Sequence, residues 1–361
     1  MKNLLHQEKF LLVAIATAVM GYAANTFFPY DGKVLALLTA IVLIAAILCA
    51  SLSIAYHAEI IAQKVGDPYG TMILTLSAVL VEVVVLGIMT TSITSKTLVR
   101  DSIYSAVMLD INGILGIAAL IGGFKHGEQS YNDDSARTYS AMILTAMGIS
   151  MMVPEFIAKE AWRAYSIFTI ITMLLLYGVF LRMQAGPHSY FFSYSYPDKK
   201  RRRLPAAAAN MGRTHSIAIM VGGIVVVGAL AELLPKALEQ GIKGINVPLG
   251  TIALIVAIIS ATPEILTALR AALADRMQSV VNIAMGASLS TVVLTVPSME
   301  ALALYSGQPF QMAMTPVQTV MTLLTLVVVA INLNDGQTNA IEGMTHFVLF
   351  ATFMMLFALG V

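Results

Sequence analysis

The chain has 361 residues, of which 58% are hydrophobic and only 11% charged, and its mean hydropathy is +0.82; a soluble domain carries about 25% charged residues, so that class does not fit. Twenty-one Lys and Arg against 20 Asp and Glu leave a net charge of +1, with no basic surplus to hold nucleic acid phosphates. The single cysteine, Cys49, has no partner in the chain, which removes an intrachain disulfide framework and a cysteine metal cage.

Uncharged stretches of about 20 residues, each able to cross roughly 30 Å of hydrocarbon, recur along nearly the whole chain. They predict eleven spans, at 10–29, 33–55, 71–92, 103–124, 138–157, 163–184, 214–235, 246–271, 278–300, 312–333 and 343–361. Barrel strands need only about ten residues, so the spans are helices and the fold is all-α and polytopic. Lys2 and Lys9 precede the first span as in a secretory signal. The apolar run continues to Phe28, however, and Phe28-Pro29-Tyr30-Asp31 is not a small-residue cleavage site, so a retained helix is expected.

With the N-terminus placed inside, fourteen of the 21 Lys and Arg fall on the inner side, half of them around the loop after the sixth span. The bias predicts a cytoplasmic N-terminus, an external C-terminus and, for a bacterial protein, the inner membrane. That loop, 185–213, carries Lys199-Lys200-Arg201-Arg202-Arg203 and reads as a solvated topology determinant; anionic lipid headgroups are its alternative partner. The expected organisation is an extra N-terminal helix (1–32), a first five-helix block (33–184), the basic cytoplasmic linker (185–213) and a second five-helix block (214–361). Two related blocks with an odd number of spans enter the membrane in opposite senses, which makes inverted repeats with a site near the midplane.

Acids deep inside spans are costly and are functional candidates. Glu82 follows about eleven helical residues, some 16 Å, and Thr71, Thr75 and Ala78 lie on its face. Glu264 sits in Ser260-Ala-Thr-Pro-Glu264, where Pro263 is expected to interrupt the helix and free backbone oxygens near Ile259 and Ser260. Carboxylate, carbonyl and hydroxyl together make a hard oxygen ligand set suited to Ca²⁺, Na⁺ or K⁺.

A span rich in small residues follows each glutamate. Superposing Arg100 on Arg276 brings Asn112 onto Ser288, and each second span shows a polar stripe. Asp110 lies about 200° around from Asn112 on a regular helix, so both cannot face one point; Asn112 is favoured for the shared face, and the role of Asp110 stays open. Asn282, Glu232 and Glu155 are accessory or access-path candidates, while Glu300 and Asp101 are expected at membrane interfaces. The six histidines fall mostly in loops or near span ends and form no His-Glu-x-x-His pair, and a phosphate-binding Gly-x-x-x-x-Gly-Lys-Ser/Thr loop is absent. The 22 methionines read as flexible packing.

At these residues the chain resembles the cation/Ca²⁺ exchanger superfamily, and within it the bacterial ChaA-type calcium/cation–proton antiporters. The matches are Gly66-Asp-Pro-Tyr-Gly70 leading to Glu82, Arg100-Asp-Ser-Ile-Tyr-Ser105, and Pro263-Glu264 followed by Asn282 and Gly286-Ala-Ser288. The resemblance covers essentially the whole chain. It implies an extra first helix, two inverted five-helix repeats and one ion site in which Glu82 and Glu264 bind the metal ion, with polar residues near Asn112 and Ser288. Calcium exchangers of this superfamily typically carry Gly-Asn-x-x-Glu in the first motif, whereas Ala78-Val79-Leu80-Val81-Glu82 stands here and the second motif reads Ser260-Ala-Thr-Pro-Glu264, so two amide ligands are lost. ChaA-like proteins as a group are associated with Na⁺ and K⁺ as well as Ca²⁺.

The function expected is therefore secondary antiport of Ca²⁺, or of Na⁺ or K⁺, against H⁺ by alternating access, without enzymatic activity or a resident cofactor. The transported ions and membrane lipid are the expected partners, and nucleic acid is not. Glu82, Glu264, Asn112, Ser288, Ser260 and Thr75 form the expected ion-binding and proton-coupling set. A cation channel and an intramembrane enzyme are the rival readings.

Overall fold

The computed structural model describes residues 8–27, 32–65, 69–93, 95–186, 188–194, 211–243, 250–307 and 310–360. Helices dominate: α1 (Lys9–Phe27), α2 (Lys33–Val65), α3 (Tyr69–Ser92), α4 (Leu98–His126), α5 (Asp133–Phe156), α6 (Trp162–Ala185), α7 (Arg213–Ile242), α8 (Thr251–Leu273), α9 (Met277–Ser306), α10 (Pro316–Asn332) and α11 (Ala340–Ala358). Among the described residues nine are long and apolar enough to cross a bilayer, and α1 and α10 add shorter apolar helices. The chain is an all-α polytopic membrane protein. The basic run 199–203, most of the linker 185–213 and the Gly66–Pro68 lead into α3 lie outside the described residues, as does the side chain of Thr71.

The 176-residue offset that pairs Arg100 with Arg276 carries α2 to α6, in order, onto α7 to α11 to within several residues at most ends. The helices cluster into two compact units, each using both halves of the chain. The first, Met1–Ser95 with Arg202–Leu249, contains α1, α2, α3 and α7. The second, Lys96–Arg201 with Gly250–Val361, contains the other seven helices.

Within the first unit, α7 is the partner of both α2 and α3. Gly241 lets α7 approach the backbone of α2: a Cβ there would stand 3.1 Å from the Leu37 nitrogen and 2.9 Å from its side chain. Small residues at such crossings replace the hydrophobic drive that lipid does not supply. The other side of α2 exposes Val34, Leu38, Ile41 and Val42, the lipid-compatible face that a water-soluble helix would not present. At the end of α2, Lys64 Nζ donates to the Met211 carbonyl, and Arg213 Nη2 donates to the Lys64 carbonyl at 3.1 Å.

In the second unit α4 and α9 are central. In each, 72% of the most apolar window is buried, against 17–39% in the other long helices. Both are interrupted by the wider i→i+5 turn, over Leu109–Leu115 in α4 and Thr291–Thr295 in α9; such π segments concentrate at functional places. Gly116 of α4 packs on α11, where a Cβ would fall 2.7 Å from that of His346. The α4–α5 link and the α10–α11 link meet as two short antiparallel strands, β1 (Gln129–Ser130) and β2 (Gln337–Thr338). Tyr131 Oη donates to the Gln337 carbonyl at 3.0 Å; burial and the nearby Asp335 push its pKa up, keeping it a donor.

Candidate ion-binding site

Glu82 is the fourteenth residue of α3 and is 3% exposed, about 20 Å along the helix. Val79, Val81, Val85 and Leu86 are buried around it, so water cannot solvate the carboxylate freely. Thr75 is half-buried two turns earlier, on the same face. Nearby, Ser77 donates its hydroxyl to the Leu74 carbonyl at 2.7 Å, so that hydroxyl is engaged inside its own helix.

Glu264 is the fourteenth residue of α8 and is half-buried. The expected break at Pro263 is absent: α8 is a continuous helix from Thr251 to Leu273 with the proline inside it. Proline removes one hydrogen bond, to the Ile259 carbonyl, and the flanking turns hold the helix across that gap. Ser260 points its hydroxyl back along the helix, at 3.3 Å from the Val256 carbonyl and 3.1 Å from that of Ala257. Thr262 does the same toward Ile258 at 2.6 Å.

The second helices differ from the straight-helix reading. Ser288, fully buried, donates to Asp110 Oδ2 at 3.2 Å, and Asp110 is 2% exposed. Asn112, favoured from the sequence for the face shared with the glutamate helix, is bonded to two other helices. Its Nδ2 donates to Thr325 Oγ1 of α10 at 2.7 Å, and its Oδ1 stands 3.1 Å from His346 Nδ1 of α11. Asp110 and Asn112 lie in the π segment, so angles reckoned at 100° per residue do not apply there.

The accessory candidates separate. Asn282 Nδ2 donates to the Phe192 carbonyl at 2.9 Å and its Oδ1 accepts from Gln278 Nε2 at 3.0 Å, which ties α9 to the short turn after α6. Glu232 is exposed and accepts from Tyr22 Oη at 2.7 Å. Glu155 is exposed on a single turn after Pro154. Glu300 is not at a helix end, because α9 continues to Ser306; the side chain is 4% exposed and hydrogen-bonds Ser166. Asp101 is paired with Arg100 at 2.8 Å and accepts from Gln318 Nε2 at 3.0 Å.

Sequence reasoning passed over His57 and His346, which are 0% and 2% exposed inside α2 and α11. An ionisable residue within an apolar span was the available signal.

Comparison with known proteins gives the family and the fold. The chain is 29% identical over 357 residues to the sodium-potassium/proton antiporter ChaA of Escherichia coli (strain K12), covering 97% of this chain and 96% of that one. It is 21% identical over 276 residues to a Ca²⁺/H⁺ antiporter of Aphanothece halophytica, covering 72% and 73%. Among solved structures, native YfkE matches with TM-score 0.76 at 17% identity, over 97% of this chain and 99% of that one. The H⁺/Ca²⁺ exchanger CAX matches with TM-score 0.71 at 14% identity, over 96% and 88%. The family profile described as "Sodium/calcium exchanger protein" matches residues 35–186 and 215–359, and the chain belongs to that family.

Proposed function

We propose that the protein is a secondary cation/proton antiporter exchanging Ca²⁺, Na⁺ or K⁺ for H⁺ by alternating access. The observation that carries this reading is positional: the two intramembrane glutamates occupy the same place, residue fourteen, in the corresponding helices α3 and α8 of the two halves. Two five-helix repeats in opposite senses, 33–184 and 214–361, with an extra helix before them, account for that correspondence. The names of the relatives support the class of reaction.

In this proposal Glu82 and Glu264 are the two acids that carry the exchange. A buried Glu82 and a half-buried Glu264 inside apolar helices do not stay ionised and empty, so they hold protons or a metal cation and exchange one for the other. Asp110, with its Ser288 donor, supplies a further buried carboxylate, and Thr75 and Ser260 lie one to two turns from the glutamates. Asn112 holds α4 to α10 and α11. The Lys and Arg distribution supports a cytoplasmic N-terminus in a bacterial inner membrane.

The test is a preset pH gradient in proteoliposomes, challenged separately with Ca²⁺, Na⁺ and K⁺. An antiporter collapses the gradient when its cation is added and does so without an imposed voltage. A cation channel moves charge in response to voltage with no obligatory proton flux, and that outcome sinks the proposal.

A further inference from the structure

Away from the motif acids, three titratable side chains from three elements of the first unit meet at one end. Glu8, just before α1, is 7% exposed, and His57 of α2 is 0% exposed. His57 Nε2 lies 3.2 and 3.1 Å from the two Glu8 carboxylate oxygens. That nitrogen therefore carries the hydrogen, which leaves Nδ1 as a bare acceptor, buried and without a hydrogen-bond partner among the described residues. His215, in the first turn of α7, brings its Nε2 to 3.7 Å from Glu8 Oε1, and its ring centroid lies 6.0 Å from that of His57.

The surrounding charges come from every packed element. On α1, Lys9 is exposed and lies over the Phe10 ring at 5.2 Å. On α2 are Tyr56, edge-on to His57 at 5.4 Å, Glu59, and Lys64 bound to the Met211 carbonyl. On α7, Arg213 is exposed and bound to the Lys64 carbonyl. The titratable side chain described on α3 is Glu82.

With both histidines neutral, His57 Nε2 alone donates to the Glu8 carboxylate, and His215 Nε2, at 3.7 Å, stands just beyond hydrogen-bond reach. One added proton makes an imidazolium–carboxylate pair of zero net charge, and charge-assisted hydrogen bonds are roughly twice as strong as neutral ones. That proton fastens α1 and α7 to α2. A second would set two cations with ring centres 6.0 Å apart, so the device counts one proton. A free imidazole changes charge between about pH 5 and 8.

We propose that Glu8, His57 and His215 form a proton-operated latch that slows exchange as the pH falls on the side of the basic loop. The inference rests on the antiport reading: alternating access needs helices to rock, and a tightened latch at their ends opposes it. An exchanger that admits protons is thereby throttled when the receiving compartment is already acid.

Inverted membrane vesicles containing the full chain present this side to the medium. With the lumen held constant and the medium stepped from about pH 8 to about 5.5, wild-type exchange falls roughly fivefold or more. His57→Gln keeps an N–H donor toward Glu8 without titrating, while Glu8→Gln and His215→Asn each remove another member. All three match wild type near pH 8 and fall less than about twofold over the same step. The proposal is overturned if the variants that exchange near pH 8 keep the wild-type fall, or if wild type shows no fall. Failure of Ca²⁺, Na⁺ and K⁺ alike to move protons in wild-type vesicles overturns the antiport reading instead, a result distinguishable from the other two.

Discussion

Ser288 and Asp110, brought together from the two halves of the chain, share a 3.2 Å hydrogen bond inside the second unit, donated by the serine. A carboxylate at that depth with a hydroxyl aimed at it is an expensive arrangement, and function is the default reason to keep it. Asp110→Asn preserves shape and the serine contact while removing the charge. Half-saturation for the transported cation rises about tenfold or more, and Ser288→Ala gives about tenfold by deleting one hydrogen bond to a charged group. Initial-rate isotope uptake across a cation series checks both; unchanged half-saturation in Asp110→Asn removes the aspartate from the site.

Glu82→Gln and Glu264→Gln each abolish cation-driven proton movement, to below about a hundredth of wild type, because a neutral amide cannot release and rebind the coupling proton. Both variants run as folded protein on size exclusion. Normal exchange in either one refutes its assignment.

Pro263→Ala restores an N–H to the Ile259 carbonyl. The thermal midpoint in detergent is unchanged or higher, while exchange slows several-fold, the stability–activity trade-off expected where a carbonyl freed by proline serves the ion. A variant with wild-type exchange shows that the gap at Pro263 has no part in transport.

Gly116→Val places a side chain where the Cβ alone falls 2.7 Å from the Cβ of His346. Overpacking of this kind costs about 1–3 kcal/mol, so the thermal midpoint drops by several degrees. Gly87→Val, at a position with no neighbour within 4 Å of an added Cβ, is the control and leaves the midpoint near wild type.

The membrane spans were legible because hydropathy acts on windows of about 20 residues, and the eleven expected stretches correspond to α1–α11. Glu82 and Glu264 were legible as candidates for a simpler reason: an acid in an apolar run stands out. The Asp110–Ser288 contact was not, since a π turn carries no clear sequence mark and shifts the facing of every side chain within it. The proline was over-read, because a helix packed in a bundle tolerates one missing hydrogen bond. The Glu8, His57 and His215 cluster joins three separate stretches of chain and leaves no periodic signal in any of them.

The short β1–β2 pairing fastens the turn leaving α4 to the turn entering α11. From that rivet the two helices stay in register: Gly123 meets the backbone of Ala340 and, two turns further on, Gly116 meets His346, so the pairing fixes which side chains of α4 and α11 face each other, Asn112 and His346 among them.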